Sequence, residues 1–490
     1  MDAARTPVIV AVGQAVGRGE PVSPLGLIER ACRTAFDEAP GIDEKIGRVS
    51  VVNIMNGGGK APATLLAERL KLDPLRCETT TLGGNNPQWL VNRAAAAIAS
   101  GQGTTTLVTG GEAVHSQRTR PELGNDADDV DGVDPVIGDA RPGLSPLELS
   151  AGLMVPAHVY PMFESVWVHR AGRSFADHRV ALGWMLAPFT RKAAQHPQAW
   201  FDEELEPDEI STPTPDNRLV AEPYTKRMNA FISVDQAAAV IVTSLAIARE
   251  IGAGGNVVFL HAGADASDVW YPLQRPDLGS SPGIRAAGRA ALTAAAIGID
   301  DIHTFDLYSC FPCAVEMACE ALGISEDDDR SLTVTGGLPY FGGAGNNYST
   351  HAIATMVDEL REQGGRGLVT ALGWFVTKHS VGIYGIAPPD AGFRMGDTER
   401  QQREIDGTAE PVASEVSAPM AGTVVASTVV YERAGGVQAV PAIITLDDGR
   451  RVAATADRAE HDDLAGVNLV GSLVRVEGNP LRFRVVRGSG

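Results

Sequence analysis

The sequence predicts a layered α/β body built from a duplicated strand–helix unit, followed by a small all-β domain. Three observations carry this. First, Thr80 to Glu112 (TTLGGNNPQWLVNRAAAAIASGQGTTTLVTGGE) runs as a glycine turn, a helix, a short loop and a buried strand. Gly83 and Gly84 permit the tight turn, Asn85 or Asn86 suits the helix cap and Pro87 suits the first helical turn. Leu90, Ala94, Ala97 and Ile98 then form an apolar face at helical spacing. Second, the plan recurs: Asn346–Asn347 follows Gly345 as Asn85–Asn86 follows Gly84, and Leu368-Val369-Thr370 repeats Leu107-Val108-Thr109. Asn85 to Leu107 and Asn346 to Leu368 are the same interval, 22 residues. Composition, order and spacing agree, as expected of an internal duplication whose helix N-termini face one shared site. Third, beyond Ser417 the pattern changes to short strands split by Gly and Asp turns, with Asp448–Gly449 a hairpin signal.

Taken in order, Thr6–Gln14 reads as a buried strand, Pro24–Phe36 as an amphipathic helix, Arg48–Met55 as a strand and Ala63–Leu72 as a helix. The central unit follows. The stretch 115–225 breaks the rhythm and reads as an insertion: an acidic surface loop over Asp126–Asp139, then helical patterns at Leu147–Tyr160 and Ser174–Ala194. Val234–Gly252 returns to strand and helix, Asn256–Ala266 is a strand, Gly283–Ile297 a helix and Thr304–Cys310 a strand end leading to a helix through Leu322. A solvated turn at Asp327–Asp329 precedes the repeated unit, and His379–Ile386 reads as a strand. The expected units are residues 1–254, with the insertion, and 255–390. A polar linker at 391–416 leads to a barrel of about six strands at 417–490, of the kind seen in oligonucleotide/oligosaccharide-binding (OB) folds.

Composition narrows function. With 44% hydrophobic residues and 54 glycines, the 490-residue chain can bury close-packed α/β layers. A net charge of −20 argues against nucleic acid. Arg450, Arg451, Arg475, Arg482 and Arg484 of the barrel are scattered and poorly supplied with aromatics, so stacking on bases is not expected. An anionic ligand stays open, because helix N-termini bind phosphate even in acidic proteins. The five cysteines are too few for a disulfide framework, which with no signal peptide suggests a reducing cytoplasm. Cys310 and Cys313 form a lone CxxC, better read as buried thiols than as a metal or redox pair. His158, His169, His178 and His196 fit no compact ligand spacing, so no metal is expected. No apolar run spans a membrane.

TPVIVAVGQ at Thr6, the central helix followed by Gly110-Gly111-Glu112, SVDQAAAVIV at Ser233 and the Gly336-Gly337 segment together resemble the thiolase superfamily over Thr6 to Pro388. Within it the chain looks most like the thiolase-like protein type 1 group of actinobacteria, relatives of sterol-carrier-type thiolases. The resemblance implies a duplicated five-layer αβαβα fold and a coenzyme A thioester as substrate or ligand, with no covalently bound cofactor. It also implies lipid metabolism and acetyl-CoA acetyltransferase-class chemistry. The thiolase nucleophile, a Cys at the start of the central helix, falls at or beside Gly83. The family's GHP histidine falls near Gly343, its second Cys near Leu372–Gly373, and its Asn-Glu-Ala-Phe motif on Tyr308-Ser309-Cys310-Phe311. Cys77 lies upstream and is unmarked as a substitute. Without a thiol at the helix start, the usual acyl-enzyme cannot form.

Tyr308, His379 and His351 are therefore the candidate catalytic residues, with Tyr308 or His379 as general acid or base. Gly83, Gly84, Asn85, Asn86, Gly343, Asn346 and Asn347 are the candidates for binding a thioester oxygen. Simpler roles stand beside these: caps for the Asn residues and helix packing for His351. Tyr348 reads as packing, and Lys378 as a surface residue, with a phosphate contact the lesser alternative. Three functions compete: an altered acyl-CoA enzyme, a retro-aldol C–C lyase on a β-hydroxyacyl-CoA, and a non-catalytic CoA-thioester-binding scaffold. The resemblance implies dimerisation through Thr104–Thr109, while the bulky tail leaves a monomer open.

Overall fold

In the computed structural model, which describes residues 2–125, 132–325 and 328–486, the β-rich runs form two half-sheets. One holds Pro7–Val16, Ile46–Val51, Arg76–Thr80, Thr105–Ala113 and Asp235–Ser244. The other holds Val258–Ser267, Thr304–Asp306, Arg366–Gly373 and Lys378–Gly385. They join where Val8 and Ile9 pair with Phe259 and Val258. Thr105–Ala113 lies between a parallel neighbour, Ile46–Val51, and an antiparallel one, Asp235–Ser244. Arg366–Gly373 repeats this between Thr304–Asp306 and Lys378–Gly385. The duplication seen in the sequence is thus a duplication of sheet topology.

Helices Asn86–Ser100 and Tyr348–Gln363 lie in the middle, packed on each other and on both half-sheets. Pro24–Glu38 covers the outside of the first half-sheet and Pro282–Ala295 that of the second. The result is a five-layer αβαβα body. Asp235–Ser244 and Lys378–Gly385 are buried along their whole length, as expected of strands covered on both faces. Thr105–Ala113 has both edges paired, so the strand expected to mediate dimerisation offers no free ladder.

Several boundaries differ from expectation. The strand expected to run to Met55 stops at Val51, because the chain turns where Asn53 N donates to Thr80 Oγ1. Only Thr304–Asp306 of the expected 304–310 strand is extended; Tyr308 N donates instead to Thr370 Oγ1. The helical pattern over 147–160 divides into Pro146–Ser150 and Pro156–Arg170, the first held by a capping box of Ser145 and Glu148. Residues 126–131 of the acidic stretch and Asp327 of the later turn lie outside the described residues. Val136–Ile137, expected in a surface loop, pairs with Thr79–Thr80 at the sheet edge.

The linker expected over 391–416 is structured. Arg394–Met395 pairs with Ala262–Gly263, and Glu399–Asp406 is a helix. Five strands, not six, close the C-terminal barrel: Met420–Ser427, Pro441–Leu446, Arg451–Ala456, Arg482–Val485 and Leu473–Glu477. Val424, Ile444, Val452, Val474, Val476 and Phe483 fill it. Val430–Tyr431 and Val437–Ala439 leave the barrel to join Leu219–Ala221 and Tyr224–Thr225 of the insertion in a four-stranded sheet. The barrel is fastened to the body by Thr455 Oγ1 donating to Ala151 O (2.9 Å), Asn468 Nδ2 to Ser165 O (2.8 Å) and Tyr431 OH to Glu222 Oε1 (3.0 Å). Among the described residues no helix is long and apolar enough to cross a membrane.

Candidate active site

The two glycine–asparagine turns meet. Gly83 N donates to Asn346 Oδ1 at 2.9 Å, and Ser349 Oγ donates to Gly84 O at 3.0 Å. Asn346 Nδ2 donates to Asn53 O and Oδ1 at 3.1 and 3.2 Å, which ties both turns to the end of the second strand. The expected caps are corrected. Asn85 and Asn347 stand at the N-cap positions, yet neither side chain caps its helix. Asn347 Nδ2 reaches Gly110 O (2.7 Å), and Asn86 Nδ2 reaches Thr80 Oγ1 (3.1 Å) and Thr81 O (2.5 Å). The buried surroundings offer these amides backbone partners on neighbouring strands, and those partners displace the local cap. Asn85 Oδ1 is buried with no hydrogen-bond partner.

Gly83 and Gly373 stand at or beside the places where the resemblance puts a cysteine, the second of them near Leu372–Gly373, and the two glycines lie against each other. A Cβ built on Gly373 would fall 3.2 Å from Gly83 Cα. The space is occupied. A Cβ on Gly83, whose φ is +150°, would fall 2.5 Å from Asn85 Oδ1 and 2.6 Å from Lys378 Nζ. A Cβ on Gly84 would strike the Tyr308 hydroxyl and lie 2.6 Å from Leu372 O. Gly343, at the histidine position, differs: its Cβ would meet nothing nearer than 3.5 Å. A side chain would fit there, so crowding does not explain its absence.

A cavity of about 570 Å³ opens beside this junction. Asn85, Asn86 and Trp89 of the central helix line it, with Asp265 to Asp268, Trp270, Lys378 and His379. The insertion contributes Gly138, Asp139 and Arg141, and the former linker Thr398, Glu399, Gln402 and Asp406. Arg141 bridges Asp139 at 2.6 Å and stacks over Trp270 at 3.7 Å. No cysteine is among the described residues lining it. Cys77 is half-buried, its thiol pushed up by burial, and Cys310 and Cys313 are buried thiols whose pKa values burial also raises, Cys310 to about 12.

Lys378, expected at the surface, is 6% exposed. Its Nζ donates to Leu82 O at 2.5 Å. Burial pushes its ammonium down to about 8, with Asp139 opposing and Arg141 reinforcing the shift. His379 is the next residue of the same strand, and successive strand residues face opposite ways. Its Nε2 lies 2.8 Å from Asp268 Oδ2 and 3.3 Å from Ser281 Oγ, at the start of helix Pro282–Ala295. The Asp268 carboxyl is drawn below the ordinary range by His379, against its own burial. Tyr308, His379 and Leu372 share a small cleft of about 10 Å³. Burial raises the Tyr308 phenol.

The structure thus brings Gly83, Gly84, Asn85, Asn86, Tyr308 and Asn346 together around one junction and sets His379 on its flank. Gly343, Asn347 and His351 line neither cavity. His351 is fully buried among Gln14, His196 and Phe341, with Nδ1 2.8 Å from Gln14 Oε1 and burial pushing its pKa down to about 3. Tyr348 packs, as expected, against Tyr308, and its hydroxyl also donates to the buried Asp306 at 2.9 Å. Asp268, Trp270 and Gln402 were missed by sequence reasoning, and Lys378 was named but placed at the surface. Strand alternation beside His379 was the one available signal, and only for Lys378. Among the described residues one group, Glu164, His178 and Glu316, brings three potential ligand atoms within 4.8 Å. It lies off the cavity, and Glu164 is engaged by His178 (2.6 Å) and Tyr224 (2.5 Å).

No protein-family model matches the chain. No curated protein matches it either. Among solved structures, a monomeric SCP2-thiolase-like protein type 1 from Mycobacterium smegmatis superposes with a TM-score of 0.85 and 31% identity, covering 99% of each chain. An Ltp2-ChsH2(DUF35) aldolase covers 78% of this chain and 98% of its own, with a TM-score of 0.60 and 19% identity. Human mitochondrial 3-ketoacyl-CoA thiolase covers 79% of this chain and all of its own, with a TM-score of 0.57 and 14% identity. The last two share the fold alone. Full-length correspondence with the first, barrel included, shows that this chain belongs to the SCP2-thiolase-like protein type 1 family of the thiolase superfamily.

Proposed function

We propose that the chain takes an acyl thioester of the coenzyme A class into the cavity beside Asn85 and acts on its carbonyl without a cysteine acyl-enzyme. The observation that carries this is the junction itself. The thiolase-type approach of two helix starts is kept, and both cysteine positions are glycines pressed against Lys378 and Asn85. An acyl-enzyme needs a thiolate at that point, so the retained geometry serves carbonyl binding instead. Asn85 and the Tyr308 hydroxyl are the polar groups nearest the glycines. The lining is rich in carboxylates, and two of them are engaged: Asp139 by Arg141 and Asp268 by a hydrogen bond with His379. Arg141 and Lys378 are the arginine and lysine of this lining, and the phosphates are assigned to the Arg141 side.

A retro-aldol cleavage of a β-hydroxyacyl thioester is the second reading. The Tyr308 hydroxyl against Gly84 favours it, since a phenol there can exchange a proton with a substrate hydroxyl. Calorimetric titration with CoA and acetoacetyl-CoA, followed by intact-mass analysis, tests the first reading. Saturable binding without an acyl adduct on cysteine is expected. Absence of binding, or acylation of Cys77, overturns it. Aldehyde or ketone released from a β-hydroxyacyl-CoA selects the second.

A further inference from the structure

Lys378 carries an inference that deepens this reading and rests on it for the substrate class. Its Cε would lie 3.0 Å from a Cβ on Gly373, and its Nζ 2.6 Å from a Cβ on Gly83. The amine therefore stands between the two places where a thiolase carries sulfur. Two further observations point to a ligand. Asn85 is 7% exposed and its Oδ1, aimed at the same point, has no hydrogen-bond partner. The cavity wall includes both Asn85 and Lys378, so an entering carbonyl compound meets them together.

We propose that Lys378 is the nucleophile of this site, forming an imine with a ketone or aldehyde carbonyl. The neutral amine adds its lone pair to the carbonyl carbon as the C–O π electrons move to oxygen. The carbinolamine then loses that oxygen as water, leaving a C=N bond to Nζ. Amine and carbonyl thus give imine and water, with no oxidant or reductant. Asn85 Oδ1 accepts the hydrogen of the carbinolamine. Protonated, an imine at the ketone carbon of a β-ketoacyl thioester receives the electron pair of a bond broken at the adjacent carbon, giving an enamine that protonation on carbon returns to the imine. Burial brings the ammonium down to about 8, so a larger share of the amine is neutral at physiological pH than for an exposed lysine, the usual way a lysine is activated for such chemistry.

The test is reductive trapping on the full-length protein, with sodium cyanoborohydride and either acetoacetate or acetoacetyl-CoA, read by intact mass and peptide mapping. Reduced adduct at Lys378 is expected at about tenfold the level of any other lysine. It should rise as pH passes through about 8 and vanish in Lys378→Arg. Trapping with acetoacetate but not acetoacetyl-CoA supports the imine and counts against the thioester reading. Calorimetric binding of acetoacetyl-CoA with no adduct on wild type overturns the imine and leaves the thioester reading standing. Adduct spread evenly over lysines, unchanged in Lys378→Arg, also overturns it. Mapping on wild type decides the matter even if the variant folds poorly.

Discussion

Gly83 and Asn346, 263 residues apart, share a buried 2.9 Å hydrogen bond in which the backbone of one turn donates to the side chain of its repeat. The same asparagine donates to Asn53. Asn346→Ala would leave the Gly83 N–H buried and unpaired and remove the bonds to the partly buried Asn53, a cost of about 1–3 kcal/mol. Urea denaturation should show the lower midpoint without a changed slope. An unchanged midpoint would mean that other contacts hold the turns together.

Restoring a cysteine should not restore a thiolase. Gly83→Cys puts a Cβ 2.6 Å from Lys378 Nζ at φ +150°, so it combines overpacking with a backbone conformation side chains rarely adopt. A loss of about 1–3 kcal/mol is expected. Adding Lys378→Ala should recover part of it, since the contact with Lys378 is removed while that with Asn85 Oδ1 and the backbone strain remain. Thermal unfolding of the single and double variants measures both.

Glu112 is buried beside Gly345 and Met55, and burial pushes its carboxyl up to about 7. The folded protein thus keeps a proton there that the unfolded chain releases near pH 4.5. Between those two values the native state binds more protons, so the Glu112 contribution to stability falls as pH rises. Glu112→Gln should remove that slope, closing a gap to wild type that changes by on the order of 3 kcal/mol between pH 4.5 and 7. Paired denaturation curves across the window would show it, and parallel profiles would refute it.

Gln402 straps the helix Glu399–Asp406 onto the cavity wall, accepting from Ser267 N at 2.7 Å and donating to Ser267 O at 3.0 Å. Gln402→Ala should speed hydrogen exchange over 396–407 by roughly one to two orders of magnitude, about the worth of two lost hydrogen bonds. Global stability should change little. Exchange confined to its wild-type rate would show that Thr398, bonded to Asp265 O at 2.7 Å, holds the segment alone.

The legible parts of the sequence were those with local period or repeated spacing. The Gly-Asn-Asn turn and its copy, the buried Val/Ala/Ile runs and the Asp448–Gly449 hairpin each carry their own signal, and the layered body and barrel followed from them. The polar stretch at 391–416 misled because its charge reads as solvation, whereas Thr398 and Gln402 bind strand backbone. The caps assigned to Asn85 and Asn347 misled for the related reason that a helix start inside a protein has partners other than its own first turn.

The chain by itself determined the duplication, the absence of cysteine at Gly83 and Gly373, and the change of fold at Ser417, because these are properties of order and composition. Only the tertiary structure decided that Lys378, not His379, enters the junction, and that His351 packs away from it. The physical reason is strand alternation within a sheet covered on both faces. One residue's difference in register sends a side chain to the middle helices or to the outer one, and the sequence has no way to weigh which layer holds the cavity.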